Sequence, residues 1–251
     1  MSAFWHENNT RTRCLFPRTA FQVQLKRWED LMCGRYTNHL SWTEIVELYE
    51  LTDAGPALNL PVRSNIAPTQ DVPFIAKVDE KRVFKTGRWW LVPHWAKEMP
   101  KYAMFNARSE DAYQKPAFRD AFKHRRCLIP ASGYYEWTKG EDGGKDPHLI
   151  HLPQNQPFSF AGLWAENERL GVTSCTILTA KAAEEIAHLH HRIPVILAAE
   201  AYARWLEHGT GTADAKAILE ENLGHELISE RVGREINSSR YNPDAPEASG
   251  S

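Results

Sequence analysis

Residues 127–164 read CLIPASGYYEWTKGEDGGKDPHLIHLPQNQPFSFAGLW. Apolar, β-branched and aromatic residues fall in short runs here, at Cys127–Pro130, Gly133–Thr138, His148–Leu152 and Pro157–Trp164. Runs of that length, broken by Gly, Asp and Pro, predict strands rather than helices. Lys139–Pro147 is the clearest break and predicts a hairpin-like loop. Working outward, Val72–Val78, Arg82–Trp90 and Thr173–Thr179 have the same character. Helical patterns flank this region. Ser41 and Glu44 fit a capping box ahead of Trp42, Ile45, Val46 and Tyr49, spaced as one face of a helix. Further helices are predicted over Ala182–Leu189, over Ala198–Glu207 closed by Gly209, and over Ala213–Leu223 closed by Gly224. The fold class is α+β: a β-rich single domain with a mixed or antiparallel sheet core and peripheral helices.

Residues 1–31 show no sustained period, and the chain becomes orderly from Met32. The end is rich in Pro, Ala and Ser. The expected division is an extension over 1–31, a domain over 32–238 and a flexible tail over 239–251.

With 251 residues, 42% hydrophobic and 25% charged, the composition excludes disorder, collagen and coiled coil. No apolar run approaches the roughly 20 residues of a membrane helix. The cysteines, Cys14, Cys33, Cys127 and Cys175, lack metal-ligand spacing and do not suggest a disulfide scaffold. Residues 1–31 also lack the apolar core of a secretory signal, so a cytoplasmic protein with reduced thiols is expected. The net charge of −2 gives no support to a general polyanion binder, yet residues 81–126 hold twelve Lys or Arg against four acids. Such a segment is ordinarily solvated surface. With Trp89, Trp90, Trp95, Tyr102 and Phe105 interleaved, it also fits a face that stacks and neutralises a single strand.

Six strings carry a more specific signal: Met32-Cys33-Gly34-Arg35-Tyr36, Asn65-Ile66-Ala67-Pro68-Thr69-Gln70, Asn106-Ala107-Arg108-Ser109-Glu110, Gly133-Tyr134-Tyr135-Glu136-Trp137, Ile177-Leu178-Thr179-Ala180 and His190-His191-Arg192-Ile193-Pro194. In identity, order and spacing they resemble the SRAP family, the SOS response-associated peptidase proteins, from Met32 to about Ile236. The resemblance implies a protein of the DNA damage response that binds abasic sites in single-stranded DNA and crosslinks to them covalently. It implies Cys33 as nucleophile at a free N-terminus, with Asn106, Glu136 and His190 as active-site partners. Arg35, Asn65, Pro68, Trp95, Arg108 and Thr179 fall on or beside positions lining the family's DNA groove. No metal or organic cofactor is implied, and a monomer with no membrane partner is expected.

The chemistry suits these residue types. A ring-opened abasic sugar carries an aldehyde that an unprotonated amine converts to an imine. An α-amine has a pKa near 7.7–8.0. A cysteine thiol on that same residue then closes a five-membered thiazolidine. His190 would exchange a proton at the sugar oxygen, Glu136 would do so at the amine, and Asn106 would orient through its amide. Arg35 and Arg108 would hold phosphates, and Trp95 would stack on a base.

The extension is the main departure, because Cys33 behind thirty-two residues has no α-amine. Met32 before a small residue suits initiator-methionine removal, so a misassigned start or removal of residues 1–31 is expected. His191, Ile193 and Trp90 stand where family members often carry Asp, Met and Gly. Two other readings compete: a thiol (auto)peptidase built on Cys33 with Glu136 and His190, and a non-covalent reader of modified DNA.

Overall fold

A computed structural model describes residues 34–52 and 54–243. The extension over 1–31, Cys33 and residues 244–251 of the expected tail lie outside the described residues. In chain order the strands are β1 (Tyr36–Asn38), β2 (Arg63–Ile66), β3 (Asp71–Val78), β4 (Lys81–Trp89), β5 (Asn106–Arg108), β6 (Arg126–Ala131), β7 (Gly133–Lys139), β8 (Lys145–His151), β9 (Phe158–Asn167), β10 (Val172–Lys181), β11 (Arg192–Pro194), β12 (Ile196–Leu197) and β13 (Ile228–Arg231). The helices are α1 (Trp42–Leu48), α2 (Arg119–His124), α3 (Glu184–Ala187), α4 (Ala199–Leu206) and α5 (Thr212–Glu220).

Two sheets result. One has the order β13-β8-β7-β1-β2. The other closes on itself: β10 pairs in parallel with β4, Ser174 against Arg88, and antiparallel with β9, Val172 against Asn167. With β4–β3, β3–β6 and β6–β9 pairings, β10, β4, β3, β6 and β9 form a ring without a free edge. The mixed, mainly antiparallel α+β core matches the expectation. An aromatic seam joins the sheets. Tyr36 of β1 meets Trp89 and Phe160 edge-on, at 5.2 and 5.6 Å between ring centres, and Tyr134 of β7 meets Phe160 at 6.3 Å.

α1 forms as its sequence predicts, with Ser41 Oγ and the Glu44 carboxylate making a reciprocal capping box. Its buried face brings Trp42 edge-on to Phe84, and Tyr49 just beyond the helix onto Tyr202. The Tyr49 hydroxyl lies 2.7 Å from Ser159 Oγ, and burial pushes the Tyr202 phenol up to about 12.

Three sequence readings change. The Lys139–Pro147 loop shortens to residues 140–144, because β8 begins at Lys145 and Pro147 lies within the ladder opposite Trp137. Pro147 has no N–H to give, and its carbonyl accepts from Val232 N–H at 3.0 Å. The helix expected over Ala182–Leu189 is one turn, Glu184–Ala187, since pairing with β11 holds β10 extended through Lys181. The proposed glycine stops are not left-handed caps. α4 ends at Leu206 with Glu207 extended, and α5 ends at Glu220. A Cβ at Gly224 would instead press on the end of the buried Ile193 side chain, which would have to shift to admit a larger residue.

The C-terminal carbonyls of α4 are met by a buried cation. Arg126, 4% exposed, donates from Nε to Trp205 O at 2.7 Å and from its terminal nitrogens to Glu207 O, Phe122 O (3.0 Å) and Lys123 O (3.5 Å). It thereby satisfies end carbonyls of both α2 and α4, where the helix dipoles favour positive charge. Arg126→Met should lower unfolding stability by about 2 kcal/mol, from carbonyls left without a donor, seen as a reduced urea midpoint at unchanged slope. A midpoint within error of wild type would contradict this capping role.

Among the described residues, no helix is long and apolar enough to cross a membrane.

Candidate functional site

β10 is the spine of the site. On its second half, beyond the pairing with β4, Ile177 pairs with Asn106 and Thr179 with Arg108 on β5. On the opposite edge Thr179 pairs with Pro194, and Lys181 with Arg192, on β11. Three of the quoted motifs therefore meet along one strand. Asn106 is half-buried and Arg108 exposed. The Thr179 side chain is fully buried: its hydroxyl donates to Ala107 O at 3.4 Å and lies 3.2 Å from an Arg192 nitrogen.

His190 precedes β11 and is half-buried, its ring 4.4 Å from that of His191. Its Nδ1 faces the Arg192 backbone, 3.0 Å from the N–H and 3.1 Å from the carbonyl. Arg192 gives both terminal nitrogens to the Glu110 carboxylate, one at 2.8 Å, and also donates to Thr179 O at 2.6 Å. Burial pushes the Glu110 carboxyl up, but the Arg192 hydrogen bonds, a backbone hydrogen bond and the Arg192 and Arg108 charges together outweigh it and hold the group below its ordinary value.

Glu136 comes from the other sheet. It lies two residues along β7 from buried Tyr134, hence on the same inward face, and is itself 3% exposed. His148 of β8 stands directly opposite it, with Nε2 3.0 Å from Thr138 Oγ1. Burial lowers the His148 pKa, aided by Arg231 and His188 and opposed by Asp146. The segment leading to His190 lies near this edge of the sheet, where α3 packs on β13. The chain that follows Cys33 enters beside β7: the Arg35 carbonyl accepts from the Tyr135 N–H at 3.0 Å, one residue before Glu136.

Arg35 and Asn65, which the resemblance places by the DNA groove, are engaged by the protein's own C-terminal segment. Arg35 donates to Asn65 Oδ1 at 2.7 Å, Ile236 O at 2.9 Å and Asn237 O at 3.4 Å. The Asn65 amide donates to Ser238 O at 2.9 Å and Tyr241 O at 2.5 Å. Trp137 Nε1 donates to Asn237 Oδ1 at 2.6 Å, and Asn237 donates onward to Lys145 O at 3.0 Å. Carbonyls of a segment outside any ladder need donors, and Arg35 and Asn65 provide them. The tail expected from residue 239 is thus tied as far as Tyr241. No sequence motif pointed to this segment.

Pro68 is half-buried in a tight turn between β2 and β3, in which the Gln70 N–H donates to Ala67 O at 3.3 Å. Trp95 is 57% exposed and lines a small cleft with His94, Ala117 and Asp120. The basic and aromatic run over 81–126 divides in two. Trp89 and Phe105 are core residues, edge-on to each other at 5.8 Å. Lys85 and Arg125 both lie over Trp164 and pair with Glu166. Arg82 pairs with Glu50, and Lys115 with Asp111. Trp95 and Tyr102 remain at the surface, along with Arg108.

The description "SOS response associated peptidase (SRAP)" belongs to a family model that matches residues 32–239. The chain is 32% identical over 216 residues to the abasic site processing protein YoaM of Bacillus subtilis (strain 168), an alignment covering 84% of this chain and 95% of that one. It is 31% identical over 199 residues to the abasic site processing protein HMCES of Gallus gallus, covering 66% of this chain and 57% of the other. A phage-related protein of known structure from Bordetella bronchiseptica superposes with a TM-score of 0.68 at 28% identity, over 84% of this chain and all of its own. Six motifs, a shared fold and a match over residues 32–239 agree, and the chain belongs to the SOS response associated peptidase family.

Proposed function

We propose that this protein binds abasic sites in single-stranded DNA and captures them covalently through Cys33 as a thiazolidine. The names of its relatives, abasic site processing proteins, support the substrate. The observation that carries the chemistry is the register of β7, which sets the chain leaving Cys33 one residue short of a buried carboxylate, Glu136.

On this reading, His190 in its imidazolium form gives its Nε2 proton to the sugar ring oxygen as the C1′–O4′ bond breaks. A base removes the hydroxyl proton at C1′, leaving the aldehyde. The Cys33 amine adds to that carbon, and Glu136 moves protons as the carbinolamine loses water to form the imine. The thiol then adds to the imine carbon and its proton passes to nitrogen, so the adduct is protein plus DNA less one water. Asn106 orients the reacting groups through its amide. Arg108, exposed at the end of β5, holds a flanking phosphate, a role that falls to it more than to the engaged Arg35.

Intact mass spectrometry of protein beginning at Cys33, after mixing with an abasic single strand, tests this. The expected product has the summed mass less one water and survives acid and heat without borohydride. A protein that binds but gains no mass would instead support the non-covalent reader. Peptide cleavage that persists with a blocked α-amine would support the thiol peptidase.

A further inference from the structure

The proposed role of His190 requires its ring to keep one direction while its charge changes, and the inference below rests on that reading. One nitrogen, Nδ1, faces two groups of the same residue: the Arg192 N–H at 3.0 Å and the Arg192 carbonyl at 3.1 Å. These contacts are alternatives. With a lone pair, Nδ1 accepts from the N–H; with a proton, it donates to the carbonyl. The Arg192 backbone therefore serves the imidazole in either state without rotation of the ring, and Nε2 keeps its aim.

The anchor of that backbone is also on the page. The Arg192 side chain is 8% exposed and spans two other motifs, gripping the Glu110 carboxylate with both terminal nitrogens and Thr179 O at 2.6 Å. Two-pronged Arg–carboxylate pairing fixes orientation as well as distance, which a lysine would not reproduce. Glu110 lies on the chain just beyond Asn106 and Arg108, so the same link ties the His190 segment to the asparagine's strand.

We infer that Glu110 and Arg192 are positioning residues for His190: their ion pair locks the Arg192 backbone, and that backbone sets the direction of the imidazole.

The test uses protein beginning at Cys33 and labelled with ¹⁵N-histidine, read by long-range ¹H–¹⁵N spectra at pH 8 without DNA. Wild type should show one protonated and one bare nitrogen for the His190 ring, assigned from its loss in His190→Ala. Glu110→Gln, on the half-exposed end of the pair, should give exchange-averaged nitrogens, and so should Arg192→Lys. Single-turnover capture of an abasic strand should slow about tenfold or more in both variants. Affinity for a strand carrying a tetrahydrofuran abasic analogue, which cannot react, should stay unchanged. In the His190→Ala background, Glu110→Gln should cause no further slowing. An unaltered His190 spectrum in both variants would overturn the inference, as would equal slowing by Glu110→Gln with and without His190. If wild type captures no DNA, the functional reading fails while the spectra still decide the positioning role.

Discussion

Protein that begins at Cys33 should form an acid- and heat-stable adduct with abasic single-stranded DNA, and the same chain retaining residues 1–32 should form none. This is the largest effect expected, and it follows from two pKa values. At pH 7.5 an α-amine near 7.8 is about one-third unprotonated, whereas a lysine near 10.4 is unprotonated at roughly one part in a thousand, a difference of about 300-fold. Retaining residues 1–32 removes the α-amine from Cys33 and leaves only the lysines and an α-amine thirty-two residues away in sequence to form imines. Ring closure is lost as well, because nitrogen and sulfur no longer share a residue. Cys33→Ala should keep the amine but not the ring, giving an imine that borohydride traps and heat destroys. Denaturing gels of the three proteins, with and without borohydride, check the whole set. A stable adduct from the full-length chain would refute the ring mechanism.

Glu136→Gln should slow capture by about 10²–10⁴-fold, the range over which a positioned proton-transfer group acts. The substitution keeps the volume of a side chain that is 3% exposed and removes its ability to carry a proton. Its unfolding free energy should remain within about 1 kcal/mol of wild type, the usual range for a shape-preserving change that leaves no cavity. Slow capture with retained stability marks a chemical role, and slow capture with a collapsed melting temperature a packing one. Capture at the wild-type rate would remove Glu136 from the mechanism.

Much of this architecture is legible in the sequence because its main strands are long. β3, β4, β6, β7, β9 and β10 carry enough alternating or apolar residues to declare themselves. β1, β5 and β11 span three residues each, and it is their partners on β7 and β10 that hold them extended. No local pattern encodes such pairing, nor the closure of β10 onto both β4 and β9. The tryptophans mislead in the same way: Trp89 and Trp95 look alike in sequence, yet one is fully buried and the other 57% exposed. For the site, the strands carrying Asn106 and following His190 both pair with β10, which carries Thr179. Glu110 and Arg192 stood inside quoted motifs without being singled out, although opposite charges in two separate motifs are a signal for pairing. The segment from Ile236 to Tyr241 offered no signal, because its carbonyls do the binding and every residue has one.

That last segment has a consequence for the order of events on the ribosome. β1, which follows Cys33, is among the first parts of the domain to emerge, yet Arg35 beside it is secured by carbonyls of Ile236 and Asn237, two hundred residues later. Synthesis proceeds from the N-terminus at about 5–20 residues per second. For about 10–40 seconds the front of the domain therefore exists without its final fastening, and the end made first is seated last.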